Sequence, residues 1–175
     1  MGAIASPIDQ VNPMQELKSL WNGALPPVKN IEAVNELMQV FAMGLWNQLS
    51  AHCDPEQPFL LTEFVGKYNH KEINRFAQVK HQEIDHFIAG FFQGQDKMRL
   101  PPEINTGLDD LEDLAAMFAG VVDIPSNPND TELIMRELMH KLTQIADIAQ
   151  KEINSIITRT ADDRRNGGST TNTLH

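Results

Sequence analysis

Between Glu132 and Thr158 the chain reads ELIMRELMHKLTQIADIAQKEINSIIT. Leu133, Ile134, Leu138, Leu142, Ile145, Ala149, Ile153 and Ile156 recur in it mostly at three- and four-residue steps, the period of an amphipathic helix. Asn129 and Glu132 have the spacing of a capping box that would open this helix, and the segment from Asp123 to Asp130 reads as the turn before it. Met135, Ala146, Ile153 and Ile157 widen the apolar arc toward half the circumference. So broad an arc belongs either to a helix buried centrally in its own domain or to one that packs against another chain. After Thr158 the sequence ADDRRNGGSTTNTLH is polar and reads as a disordered tail over residues 158–175.

The same period appears upstream. Asn12-Pro13 reads as a cap followed by a first-turn proline, opening a short helix through Met14, Leu17, Leu20 and Trp21 that Asn22-Gly23 and Pro26-Pro27 end. From the cap Asn30, apolar residues at Ile31, Val34, Leu37, Met38, Phe41, Ala42, Leu45 and Leu49 continue until Cys53-Asp54-Pro55. A further helical region is expected from near Thr62, with a break at Tyr68-Asn69-His70, through Ile73, Phe76, Ala77, Ile84, Phe87, Ile88 and Phe91 to Gly94. Leu108, Leu111, Leu114, Ala115, Phe118 and Val122 mark another, with acidic residues toward its N-terminal half, where the helix dipole favours them. No run alternates apolar and polar residues over a strand's length, so the sequence predicts an all-α fold: a helical bundle or orthogonal array of four main helices plus a short N-terminal helix. A single helical domain over residues 1–157 is expected.

With 14 Lys plus Arg against 24 Asp plus Glu in 175 residues, the net charge is −10. Such a surface repels phosphate backbones and anionic bilayers, so nucleic acid and stable membrane association are not expected. Cys53 is the one cysteine, which rules out an intrachain disulfide and, with no signal-peptide pattern, leads us to expect a cytoplasmic protein. MGAIAS matches an acylation pattern at Gly2, but no basic cluster follows to support anchoring. Gly44, Gly66 and Gly90 fall in helical regions, where their expected purpose is close approach of another helix.

Two Glu-x-x-His motifs, Glu83 with His86 in HQEIDHF and Glu137 with His140 in RELMH, raise the possibility of a ferritin-like di-iron site. Such a site needs both motifs to project inward. At about 100° per residue, Glu83 lies about 80° and His86 about 140° from the centre of the Ile73 stripe. Glu137 and His140 lie about 120° and 180° from the centre of their own stripe. Both histidines read as solvent-facing, His81 reads as partly buried, and no metal or other cofactor is expected. The apolar residues off the stripes are the better candidates for function: Met43, Trp46 and Phe92, with Met135, Ile153 and Ile157 from the broad last helix, form the expected interaction surface.

The order His86-Phe-Ile-Ala-Gly-Phe91, then Leu108-Asp-Asp-Leu-Glu-Asp-Leu114, then a long helix from Glu132, resembles the uncharacterised bacterial YgfB/YecA-like helical family over residues 83 to 150. The first helix departs from that family, with only Phe41-Ala-Met-Gly44 where relatives carry a glycine-rich helix end, and a metal-binding cysteine tail is missing. The resemblance implies an all-α cytoplasmic protein without known catalysis, a regulatory binder. The residues themselves lead to the expectation of a non-enzymatic protein-binding module, an adaptor, regulator or chaperone-like factor with a protein partner or self-association. Its alternatives are a structural subunit of a larger assembly, such as a secretion filament or virus particle, and the di-iron protein.

Overall fold

The computed structural model describes residues 1–8, 13–19, 21–25, 27, 30–95, 98–122, 124–127 and 131–167. Helices account for its regular structure, and no strand occurs among the described residues. A short helix α1 (Gly2–Ala5) precedes α2 (Pro13–Ser19). Then come α3 (Ile31–Met38), a π-helical stretch Gln39–Trp46, α4 (Asn47–Ser50) and a 3-10 turn Ala51–Cys53, which together make one continuous arm. The long helices α5 (His70–Phe92), α6 (Pro102–Val122) and α7 (Glu132–Gly167) follow.

The core is the meeting of α5, α6 and α7, with α5 packed most extensively on α6. Ile73, Ala77, Ile84, Phe87 and Phe91 of α5 are buried against Ile104, Leu108, Leu111 and Phe118 of α6 and against the inner face of α7. Burying side chains of this size contributes roughly 1.5–3 kcal/mol each, which is why these three helices carry the fold. Phe76 meets Phe118 edge-on at 6.4 Å between ring centroids. On the other side of α5 lies α1, so close that a Cβ at Gly2 would collide with the Phe87 carbonyl, while one at Gly90 would come within 3.1 Å of the Ala3 nitrogen. Gly90 thus serves close helix approach as expected. Gly44 instead faces open space, and Gly66 lies outside any helix, against the Phe64 ring.

Several boundaries differ from those expected. The chain from Pro58 to Val65 is extended instead of helical, and α5 starts only at His70, where Asn69 adopts β geometry and its side chain accepts the Glu72 N–H. The helix α6 begins earlier, at Pro102. Most of the expected tail is helix: α7 continues through Gly167, with Thr160 and Ala161 buried and the Arg164 guanidinium donating to the Ile4 carbonyl at 2.6 Å. That contact with α1 joins residues 160 apart and is absent from any local pattern. The expected caps Asn12 and Asn129, with residues 168–175 of the expected tail, lie outside the described residues.

The phase of α7 also differs. Met135, Met139, Leu142, Ala146, Ala149, Ile153, Ile156 and Ile157 face inward, whereas Ile134 and Ile148 are exposed. Met135, Ile153 and Ile157 are therefore core residues and not the interaction surface expected of them; at 6%, 0% and 0% exposed they offer a partner nothing. The breadth of the arc has a simple cause: α7 is covered by α6, by α5 and by the extended segment at once.

Candidate functional site

The extended segment is fastened to the helices at both of its backbone edges, in the manner of a strap. Toward α7, the Phe59 N–H donates to Asn154 Oδ1 at 2.7 Å and the Phe59 carbonyl accepts from Asn154 Nδ2 at 2.9 Å. One helical turn earlier on α7, Gln150 Oε1 accepts the Leu61 N–H at 2.8 Å. Amide side chains four apart on a helix stack on one face, so Gln150 and Asn154 present donors and acceptors to the strap much as a neighbouring strand would. Toward α5, Glu83 Oε1 accepts both the N–H of Thr62 at 2.9 Å and its hydroxyl at 2.5 Å.

Lys80 completes this fastening. Its side chain is 1% exposed, and Nζ donates to the Thr62 carbonyl and to Glu83 Oε2, the latter at 2.7 Å. The ammonium also lies 5.3 Å from the centroid of the Phe76 ring. A buried ammonium is tolerable only when paired and hydrogen-bonded, and the strap and Glu83 supply both conditions. Burial works to raise the Glu83 pKa, but the hydrogen bonds from Lys80 and Thr62 outweigh it and hold the carboxyl below its ordinary value.

Beyond Leu61 the strap parts from α7, and a cleft of about 610 Å³ opens between them. Phe76 and Met139 line its apolar part, with Arg136 and His140 toward one end and Asp147 and Gln150 toward the other. Phe64 packs edge-on against Phe76, and the Arg136 guanidinium sits 5.0 Å from the Tyr68 ring centroid, closing the first end.

A second feature is the arm. No described residue from 21 to 58 is buried, although Ile31, Val40, Met43 and Leu45 on the arm are 66%, 65%, 70% and 49% exposed. From Leu37 to Cys53 no Asp, Glu, Lys or Arg interrupts it. Met43 projects outward. Trp46 is half-buried beside Phe41 and lines, with Leu45 and Ile4, a groove of about 200 Å³ between the arm and α1. Glu16 lines the same groove, its carboxyl raised above the ordinary range by burial despite a hydrogen bond from Gln93. Phe92 is half-buried at the end of α5, packed on Phe91 at 5.8 Å.

The two Glu-x-x-His pairs are not brought together. Glu83 is engaged in the strap, while His86, Glu137 and His140 are exposed, the last near Gln144. No group of three or more His, Cys, Asp or Glu side chains gathers in metal-binding geometry among the described residues. His81 is half-buried, with Nδ1 enclosed and without a hydrogen-bond partner among the described residues. Sequence reasoning missed Lys80, and the signal was present: it lies about 20° from Ile73 around the helix, a lysine in the middle of the apolar stripe.

No family model, curated protein or solved structure matches the chain.

Proposed function

We propose that the protein is a non-enzymatic protein-binding module, an adaptor, regulator or chaperone-like factor, and that the arm is its docking surface. The observation that carries this reading is an arm made largely of apolar, uncharged sequence with no buried residue. A helix placed so loosely on its own core leaves Ile31, Val40, Met43 and Leu45 to water, and such surfaces mark protein interaction sites. The stretch around Gly44 is π-helical, a form that recurs at functional sites, and the open space beside Gly44 allows a second backbone to approach closely.

A photo-crosslinking side chain in place of Met43, combined with light scattering over a range of concentrations, tests the reading. A discrete cross-linked species of defined stoichiometry, abolished by Val40→Glu, is the expected result. A chain that stays monomeric at every concentration and forms no discrete adduct in lysate of its source cells refutes it.

A further inference from the structure

The cleft beside the strap has a shape of its own. Its α7 wall runs from Arg136 to Gln150, one helix face about 21 Å long at 1.5 Å per residue. The strap crosses it antiparallel, with Phe59 at Asn154, Leu61 at Gln150 and Tyr68 at Arg136. A slot of that length accommodates about six residues of extended chain at 3.3 Å each.

One side of the slot is a backbone edge. In an extended chain the N–H and C=O groups of alternate residues point to opposite sides. Phe59 turns both groups and Leu61 its N–H to α7, Thr62 turns both of its own to α5, and Glu63, next in this alternation, lines the slot. The Glu63 backbone makes no hydrogen bond among the described residues. Unpaired extended backbone of this kind is a template for another strand.

The slot is also electrically polarised. Arg136, paired at 3.4 Å with Glu132, stands at one end and Asp147 toward the other, and Glu63 and Lys80 also line the slot. Between them lie Phe76 and Met139.

From these observations we infer that the slot binds an extended peptide segment of a protein partner, which pairs with the backbone of Glu63. Such a peptide places an acidic side chain at Arg136, an apolar one over Phe76 and Met139, and a basic one at Asp147. Main-chain pairing supplies affinity and the alternating side chains supply selectivity, the mode of strand addition. The inference rests on the protein-binding reading but uses a surface separate from the arm.

The test uses fluorescein-labelled hexapeptides on the full chain: DVTLTK, its reverse KTLTVD, and a charge-free VTLTVT. Fluorescence polarisation should give saturable binding for one of the two charged peptides, weakened about tenfold or more by Arg136→Glu and by Asp147→Lys, each a surface change that leaves the core intact. The double variant should switch preference to the oppositely ordered peptide. Hydrogen exchange at the Glu63 amide should slow in the complex. A variant carrying Val40→Glu and Met43→Glu should bind peptide as before, so that loss of arm docking and loss of the slot are separately visible. No saturable binding by either charged peptide up to millimolar concentration, binding indifferent to both charge reversals, or binding without protection at Glu63 overturns the inference.

Discussion

Replacing Lys80 by methionine keeps the apolar stem and removes the ammonium that joins the strap to α5. Two charge-assisted hydrogen bonds disappear, to Glu83 and to the Thr62 carbonyl, each worth about 1.5–3 kcal/mol net. Against that, the penalty for burying the ammonium, several kcal/mol, is no longer incurred. The partner left behind decides the sign. Glu83 keeps a carboxylate that is only 24% exposed and retains just the Thr62 donors, so its desolvation is poorly compensated. We expect a net loss of about 2–3 kcal/mol, which for a chain of this size lowers Tm by roughly 4–12 °C. Adding Glu83→Gln removes the orphaned charge while keeping an acceptor for Thr62, and should restore about 1 kcal/mol. Urea unfolding of the two single variants and the double variant, with m values compared to confirm a common transition, measures the cycle. If Lys80→Met leaves stability unchanged or raises it, the ammonium is not what holds the strap. If the double variant loses as much as the sum of the singles, Lys80 and Glu83 are not coupled.

The same pair makes stability depend on acid. Because the Glu83 pKa is depressed in the folded state, its contribution is complete above the unfolded value near 4.5 and is lost as pH falls through the folded pKa, so the acid slope of unfolding free energy should be shallower in Lys80→Met than in the wild type. Ile153→Ala should cost about 2–5 kcal/mol and Met43→Ala less than about 0.5, since one is fully buried and the other 70% exposed; equal losses in denaturant titrations would reverse our assignment of core and surface. Asn154→Ala leaves both backbone groups of Phe59 without their partner, and should cost about 1–3 kcal/mol with faster amide exchange at Phe59 and Leu61; unchanged exchange there would mean the strap is held by other contacts. His86→Ala and His140→Ala should each change stability by less than about 0.5 kcal/mol, and elemental analysis of protein purified without chelator should find no stoichiometric iron or manganese; metal near two atoms per chain would reopen the di-iron reading.

The parts of the fold legible in the sequence are those where the apolar stripe has a single direction. Ile73, Ala77, Ile84, Phe87 and Phe91 on α5 make such a stripe, and all five are buried in the core. On α7 the neighbouring positions 134 and 135, 138 and 139, 145 and 146, and 156 and 157 are apolar in pairs, so periodicity alone leaves the inward direction open by about one residue, or 100°. Packing resolves it, turning Met135 and Met139 inward and leaving Ile134 exposed. The first turns of α6, PEINTG, contain one large apolar residue, Ile104, and are helical because that residue and Gly107 meet α7. The strap was illegible for a different reason. Its partners Gln150, Asn154 and Glu83 are ordinary polar residues on other helices that nothing local distinguishes from solvated ones, and only Lys80, set within the apolar stripe of α5, carries a signal. Met43 and Trp46, by contrast, are legible as apolar residues off their stripe, and no residue of the arm they belong to is buried.

The strap also fixes an order of events in the life of a nascent chain. Leu61 and its acceptor Gln150 are 89 residues apart, and Phe59 and Asn154 are 95 apart. At synthesis rates of about 5–20 residues per second, roughly 4–18 s pass between the appearance of Leu61 and that of Gln150. Helices α5 and α6, built from local contacts, can form in microseconds and pair within that interval. The extended segment has no α7 to receive it until α7 is made, and for those seconds Leu60, Leu61 and Phe64 stand beside an unpaired backbone. Lys80 and Glu83, only 18 and 21 residues downstream of Thr62, are available first. Their clasp holds the strap against α5 while the ribosome is still assembling the helix that will cover it.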